Sequence, residues 1–377
     1  MKKYLLLLAI AIVGFAACGK LNGGENGSGD GAGNGTGDDN TDETVVINGI
    51  IQIKDPNFLK ALLVVKDMTI VGKHIHQDID RNRDGKISVE EAKQVTRLQL
   101  GKNYDKDEET NKPLYSDLRN IDEIKYFTSL KVLKCDDNQL ISLDLSKNTA
   151  LEHLDCSNNY LTSLNLDKNT SLKILGCGGN QWTTLDLSNH LSLEHVYCDS
   201  KDLELNLSGC TALEKVSCGV KALDVSGCTA LTELDCSFND LTTLNLSGLT
   251  ALTELDCSDN KLASLNVSGC TALIWLDRLG DQLTSLDVSG CTALTGLYCN
   301  SNDLTTLNLS GCTALTKLYC SSNKLASLDI SNNAALYEYL EVESNPLETV
   351  TILSIQQNAP LMYYLKRYYP NIEIIVK

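Results

Sequence analysis

The sequence predicts a solenoid: an α/β coil, predominantly β, with one parallel concave sheet, a small helical cap at the start and a short cap at the end. Three observations predict it. First, Cys135, Cys156, Cys177 and Cys198 stand 21 residues apart; Cys218 and Cys236 follow after 20 and 18, and Cys257, Arg278, Cys299 and Cys320 return to 21. Second, three residues after each stands a polar residue: Asn138, Asn159, Asn180, Lys201, Lys221, Asn239, Asn260, Asp281, Asn302 and Asn323. Third, leucines hold fixed offsets around both, as in Leu151, Leu154, Cys156, Asn159, Leu161, Leu164 and Leu166. Self-similarity at a fixed period is the mark of a repeat array.

Each letter has a physical use. Leu-x-Cys places two side chains on the same face of a short strand, because alternate residues point the same way. One coil cannot bury its leucines alone, whereas stacked coils share a continuous core. The Asn is expected to turn inward, where its amide can satisfy backbone groups left unpaired by the bend. The frame closely resembles the leucine-rich-repeat signature, in which Cys is a common substitute for one Leu, and the 21-residue units resemble those of internalin-like surface proteins. That resemblance covers residues 95–352 and implies a right-handed coil of about twelve turns, roughly 55 Å of stack at the inter-strand spacing. So short a period leaves no room for helices behind the sheet, so the convex side should be extended or 3₁₀.

Degenerate units extend the array at both ends. Val95, Leu98, Leu100 and Asn103 begin a unit that an insertion, 104–117, interrupts; it resumes at Leu118, Ile121, Ile124 and Phe127. At the other end Tyr337, Leu340, Val342, Asn345, Leu347, Val350 and Ile352 make a unit one residue too long. Residues 353–377, with Tyr363, Tyr364, Tyr368 and Tyr369 after Pro360, are expected to form the closing cap.

The N-terminus has the layout of an export signal. Lys2 and Lys3 precede an apolar run, Tyr4 to Ala17, too short to span a bilayer as a helix. Phe15-Ala16-Ala17-Cys18 resembles the lipobox of bacterial lipoproteins, which implies a signal peptide over 1–17 and a lipid on Cys18. Ordinary cleavage nearby, leaving Cys18 a stray thiol, is the alternative. Residues 18–43 hold nine glycines and no aromatic residue, so no core forms there, and the segment should act as a tether. Together these imply a bacterial protein displayed at the cell surface or outer membrane and held through the N-terminal lipid only. The formal net charge of −17 argues against nucleic acid as a partner. A monomer is expected.

The fifteen cysteines of an exported chain invite a disulfide reading. A second ladder, Cys210, Cys228, Cys270, Cys291 and Cys312, alternates with Asn148, Asn169, His190, Leu249 and Asn333 at the equivalent position, which is no strict disulfide half. Stacked parallel strands also aim neighbouring Cβ atoms the same way, poor geometry for a bridge. Zinc is disfavoured by the lack of any Cys-x-x-Cys pair. Buried free thiols acting as small apolar fillers are the expectation. Arg278 would then make coil 273–293 bulge, or turn outward.

Residues 44–94 are expected to form the helical N-terminal cap, with Asp55-Pro56 starting a helix over 57–65 and a second over Val89 to Gln94. Between them, residues 80–91 resemble an EF-hand or dockerin-type loop. The resemblance implies calcium held by the side chains of Asp80, Asn82, Asp84, Ser88 and Glu91 and the carbonyl of Lys86, with Gly85 at the turn. An Asx-rich turn that holds no metal is the other reading. The loop is single, which suits a structural clip better than a switch.

The strand positions between the leucines face out of the sheet. One outward column reads Glu233, Glu254, Trp275, Gly296, Lys317 and Tyr339; its neighbour reads Asp235, Asp256, Asp277, Tyr298, Tyr319 and Glu341. Trp275, Tyr298, Tyr319 and Tyr339 therefore fall together in a chain only 5% aromatic. They suggest a contact surface for a protein, peptide or glycan, although Tyr also simply suits exposed β positions. The acidic group is a solvated face or a cation site. No nucleophile elbow, metalloprotease helix or phosphate loop is present, so an enzyme is not expected. A surface binding or adhesion module is the leading reading, and a structural spacer without a ligand is the alternative.

Overall fold

A computed structural model describes residues 46–64, 79–101, 117–277, 282–337 and 339–377. The export signal, Cys18, the tether, Asn103, the insertion up to residue 116, Arg278 and Asp281 lie outside the described residues. Twelve parallel strands stack in chain order to form the concave sheet. Most are three residues long, as in His153–Asp155, Glu254–Asp256 and Lys317–Tyr319, and each pairs in register with the next. The leucine or valine at the centre of each three-residue concave segment is buried, and so are the nine ladder cysteines that stand two residues after it. Each such leucine contributes about 1.5–3 kcal/mol of burial, and only because the adjoining coil covers it. The opposite side carries short strands such as Thr184–Asp186, Ser264–Asn266 and Ser285–Asp287, with turns between them. The expected solenoid is thus the observed one.

The asparagines hold the bend after each strand. The Asn159 amide donates to the carbonyls of Cys135, Cys156 and Ser157 at 2.9, 3.0 and 3.2 Å, and its Oδ1 accepts from the Leu140 N–H at 3.0 Å. Asn138, Asn260 and Asn323 repeat the pattern on their own neighbours. One side chain thereby serves peptide groups of two coils. Where Lys201 and Lys221 replace the Asn, the backbone finds another solution. The strands lengthen into His195–Asn206 and Lys215–Asp224 and pair around the corner, with a break in register between Ser200 and Glu204. Asn239, the first ladder member after that ribbon, has a buried Oδ1 without a hydrogen-bond partner.

The second ladder corrects the reading of its thiols as mere fillers. Asn148 and Asn169 donate to buried carbonyls of the preceding coil, and the His190 Nε2 lies 3.2 Å from the Leu166 carbonyl. Cys210, Cys228, Cys291 and Cys312 aim their thiols at the equivalent carbonyls at 3.1–3.2 Å. Most residues at this position thus bring a donor to that carbonyl, while Cys270 stands farther off at 3.8 Å and the buried Leu249 only fills space. The Oδ1 atoms of Asn148, Asn169 and Asn333 are buried without a partner, and a thiol supplies the donor without that unsatisfied acceptor. All fourteen described cysteines are buried and free. Burial pushes the thiols of Cys291 and Cys299 up to about 12, which suppresses the reactive thiolate.

Both ends are closed by polar side chains. Asp55 caps the helix Pro56–Val64 by accepting from the Asn57 and Phe58 N–H groups, while its other oxygen accepts from the Arg119 and Asn120 N–H groups of the first coils. Ahead of it stands a hairpin absent from the sequence expectations, Val46–Ile47 paired with Ile50–Ile51 through Asn48-Gly49, both at positive φ. That dipeptide is the strongest short hairpin signal a sequence carries. At the far end Leu336, and not Tyr337, is the core residue; Tyr337 is exposed, so the extra residue lies between Leu336 and Leu340. The helix Pro360–Tyr368 and strand Glu373–Val376 follow, the strand adding parallel to Thr349–Ile352. The Tyr364 hydroxyl accepts from the Val342 N–H at 3.0 Å, and the Tyr369 hydroxyl donates to the Val342 carbonyl at 2.6 Å. These phenols stand where a further coil would pair.

Among the described residues, Asp136 is the carboxylate with the largest perturbation. It is 8% exposed, lies against Gly101, and its Oδ1 has no partner. Burial, with the Asp155 carboxylate nearby, pushes its carboxyl up to about 7. A folded-state pKa above the unfolded value gives stability that is full below about pH 4 and lost as pH rises through about 7. Asp136→Asn should therefore raise urea stability at pH 8 by on the order of 2–4 kcal/mol and change it little at pH 4; an equal effect at both pH values would refute this. Asn159→Ala should cost about 2–4 kcal/mol in the same assay, against less than about 0.5 kcal/mol for the exposed Ser163→Ala.

Candidate functional site

Strict register decides what the concave face displays. Trp275 stands beside Gly296, Gly296 beside Lys317, and Lys317 beside Tyr339; in the next column Tyr298 stands beside Tyr319 and Tyr319 beside Glu341. The four aromatic residues singled out by sequence are therefore brought together on four consecutive strands. Tyr298 and Tyr319 stack with centroids 4.7 Å apart and planes 7° apart, and Trp275 stacks on Tyr298 at 5.8 Å and 25°. The Lys317 ammonium lies 5.3 Å from the Trp275 ring and 5.4 Å from the Tyr339 ring, within cation–π range of both. Trp275, Tyr298 and Tyr319 are half-buried and Tyr339 is exposed.

Two members of this ridge were not picked out by sequence. Gly296 is one: a Cβ there would fall 2.5 Å from Cζ3 of Trp275, so the indole lies over bare backbone. Lys317, held between two rings, is the other. The signal was present, since a Gly and a Lys interrupt an aromatic column. The Tyr319 hydroxyl is pushed up by burial and by the neighbouring Glu341, which keeps the phenol protonated as a donor.

The acidic group beside the ridge divides by role. Glu233 is ion-paired with Lys215 at 2.6 Å. Asp235 accepts from both the N–H and the hydroxyl of Ser237, and Asp256 from those of Ser258. These aspartates cap the turn that follows their strands, and repetition explains them. Glu254 remains exposed. Nothing is described of the Asp277 side chain.

The loop 80–91 folds back on itself. Gly85 takes φ +76°, which only glycine adopts without strain. Asp80 accepts from the Asp84 and Gly85 N–H groups, Asn82 Oδ1 from the Asp84 N–H, and Asp84 from the Lys86 N–H. Glu91 reaches across the loop to the Arg81 N–H at 2.9 Å and also takes the N–H and hydroxyl of Ser88, whose Oγ caps the helix Val89–Ala92. Burial raises the Glu91 carboxyl, but these hydrogen bonds outweigh it and leave it below the ordinary range. The loop is pinned to the hairpin: the Ile51 N–H donates to the Ile87 carbonyl and the Val89 N–H to the Gly49 carbonyl, each at 2.9 Å. The candidate donors are all oxygen, the ligand type of a hard cation. Among the described residues, though, no three carboxylate, imidazole or thiol groups converge on one point. Here the carboxylates hold backbone N–H groups instead.

No protein-family model matches the sequence, and comparison with curated proteins returns no match. Solved structures are similar. The functional domain of InlJ from Listeria monocytogenes, described as including a cysteine ladder, is 27% identical with a TM-score of 0.53 over 79% of this chain and 74% of that one. The internalin InlF from Listeria monocytogenes is 19% identical with a TM-score of 0.56 over 86% and 90%. The Toll–Spatzle complex of Drosophila, an assembly between proteins, gives 18%, 0.50, 70% and 45%. The chain thus shares the parallel-strand leucine-rich-repeat solenoid of the bacterial internalin structures.

Proposed function

We propose that this chain is an exported, lipid-anchored surface scaffold that binds a protein, peptide or glycan on its concave face. The observation that carries the reading is the aromatic ridge. Ten or more coils could present any surface, yet the rings gather on four adjacent strands of the concave sheet. Large aromatic side chains held half-buried lose little further entropy on binding and are common binding hot spots. Anchoring through Cys18 and display outside the cell rest on the export signal and the lipobox-like residues. No helix among the described residues is long and apolar enough to cross a membrane. One similar structure, the Toll–Spatzle complex, is an assembly between proteins, and catalysis is not part of this reading, because Asp235 and Asp256 serve as turn caps and Glu233 as an ion-pair partner.

The loop 80–91 is proposed as a calcium clip for the cap. Asp80, Asn82, Asp84, Ser88 and Glu91 would hold the ion with the Lys86 carbonyl, and the ion would supply only positive charge to gather oxygens. At about millimolar calcium, an affinity of order 10⁻⁴–10⁻³ M gives roughly 0.4–1.4 kcal/mol of stabilisation.

Two measurements test these readings. Binding screened on glycan and peptide arrays should fall about tenfold or more in Trp275→Ala and in Tyr298→Ala; unchanged binding in both would leave a structural spacer as the better reading. Calorimetric titration with calcium should give a binding isotherm for wild type that Asp80→Ala abolishes, and equal heats would remove the metal.

A further inference from the structure

Building on the ridge reading, we infer that the ridge takes a polypeptide segment with two basic side chains flanking an apolar centre, and not a glycan. A sugar ring stacks on an open aromatic face. Here Tyr298 and Tyr319 cover each other's faces, Trp275 lies over Gly296 and against Tyr298, and the Lys317 ammonium sits by the rings of Trp275 and Tyr339. With the stacked faces of Trp275, Tyr298 and Tyr319 turned to one another, what remains for a ligand is the rest of these rings and the exposed Tyr339, a surface that suits apolar side chains and peptide groups.

Charge supplies the rest of the pattern. Lys317 holds a fixed cation at the centre of the ridge and would repel a basic group placed there. The ends are the reverse. Glu254 is the direct strand neighbour of Trp275 at one end, and Glu341 that of Tyr319 at the other. Both are exposed, and among the described residues neither makes an ion pair; Lys215, whose charge reaches Glu254, is itself paired with Glu233. Four strand spacings separate their strands, about 19 Å, which an extended chain spans in about six residues. The complementary ligand therefore reads basic, apolar, basic, with its chain running along the stack.

The test is a phage-displayed library of random dodecapeptides selected on the full chain. The enriched peptides should carry Lys or Arg about six positions apart around an apolar centre. A synthetic peptide of that sequence should bind Glu254→Gln/Glu341→Gln about fivefold more weakly or worse, with the loss shrinking as salt is raised. These exposed substitutions leave the core untouched. Enriched peptides that depend on Trp275 but carry no paired basic residues would overturn this inference and leave the ridge reading standing. Enrichment indifferent to Trp275→Ala would overturn both. Absence of any enrichment, or Trp275-dependent binding of a glycan array in its place, would likewise overturn the polypeptide ligand.

Discussion

Everything in this structure depends on one constraint: a chain that coils every 21 residues or so must turn corners inside its own core, and no buried peptide group at those corners can go unpaired. Leucine burial drives the stacking but is indifferent to the corner. The asparagine ladder settles the corner on one side of the sheet, and the Asn, His and Cys donors settle it on the other. Both ladders reach across to the preceding coil, so the group that completes one turn also fixes its distance from the next. The register that aligns the outward columns is thus a by-product of corner chemistry. The aromatic ridge inherits its geometry from amides and thiols that never touch it.

The ends show the same constraint without a neighbour to answer it. Asp55 takes N–H groups from a helix start and from the first coils with a single carboxylate. Tyr364 and Tyr369 meet the last coil with hydroxyls, and Gln356 donates to the Asn333 and Leu336 carbonyls as the next ladder member would. The caps therefore imitate a coil's hydrogen bonds and so close the stack at both ends.

Most of the architecture could be read from spacing alone, because a period of 21 dictates which side chains share a column. That is why Trp275, Tyr298, Tyr319 and Tyr339 could be grouped before any coordinates. Side-chain posture could not be read: nothing in the spacing says that Lys317 lies between two rings or that the indole of Trp275 rests on Gly296. Equivalence was misread where it was chemical and not steric. Cys and Asn at one position look unlike in size and polarity, yet both present a hydrogen to the equivalent carbonyl, and a ring nitrogen of His190 takes the same place. The Tyr337 slip is of another kind, since a one-residue insertion leaves the choice of inward residue to packing. The Asn48-Gly49 hairpin lies outside the repeat period, and its signal is the dipeptide alone.

The short reach of these ladders has a kinetic consequence. Their bonds between coils join residues 19 to 25 apart in the chain, with Asn138 to Leu100, across the insertion, the longer exception. Assembly can therefore proceed like a zip, each completed turn serving as template for the following one, with only a modest loop to close at each step. The ribbon of His195–Asn206 and Lys215–Asp224 interrupts that rhythm, because its pairing closes two long strands at once and skips the asparagine that times the other turns. It divides the array into an N-terminal run bearing the cap and a C-terminal run bearing the ridge, and it is the natural seam at which unzipping would pause.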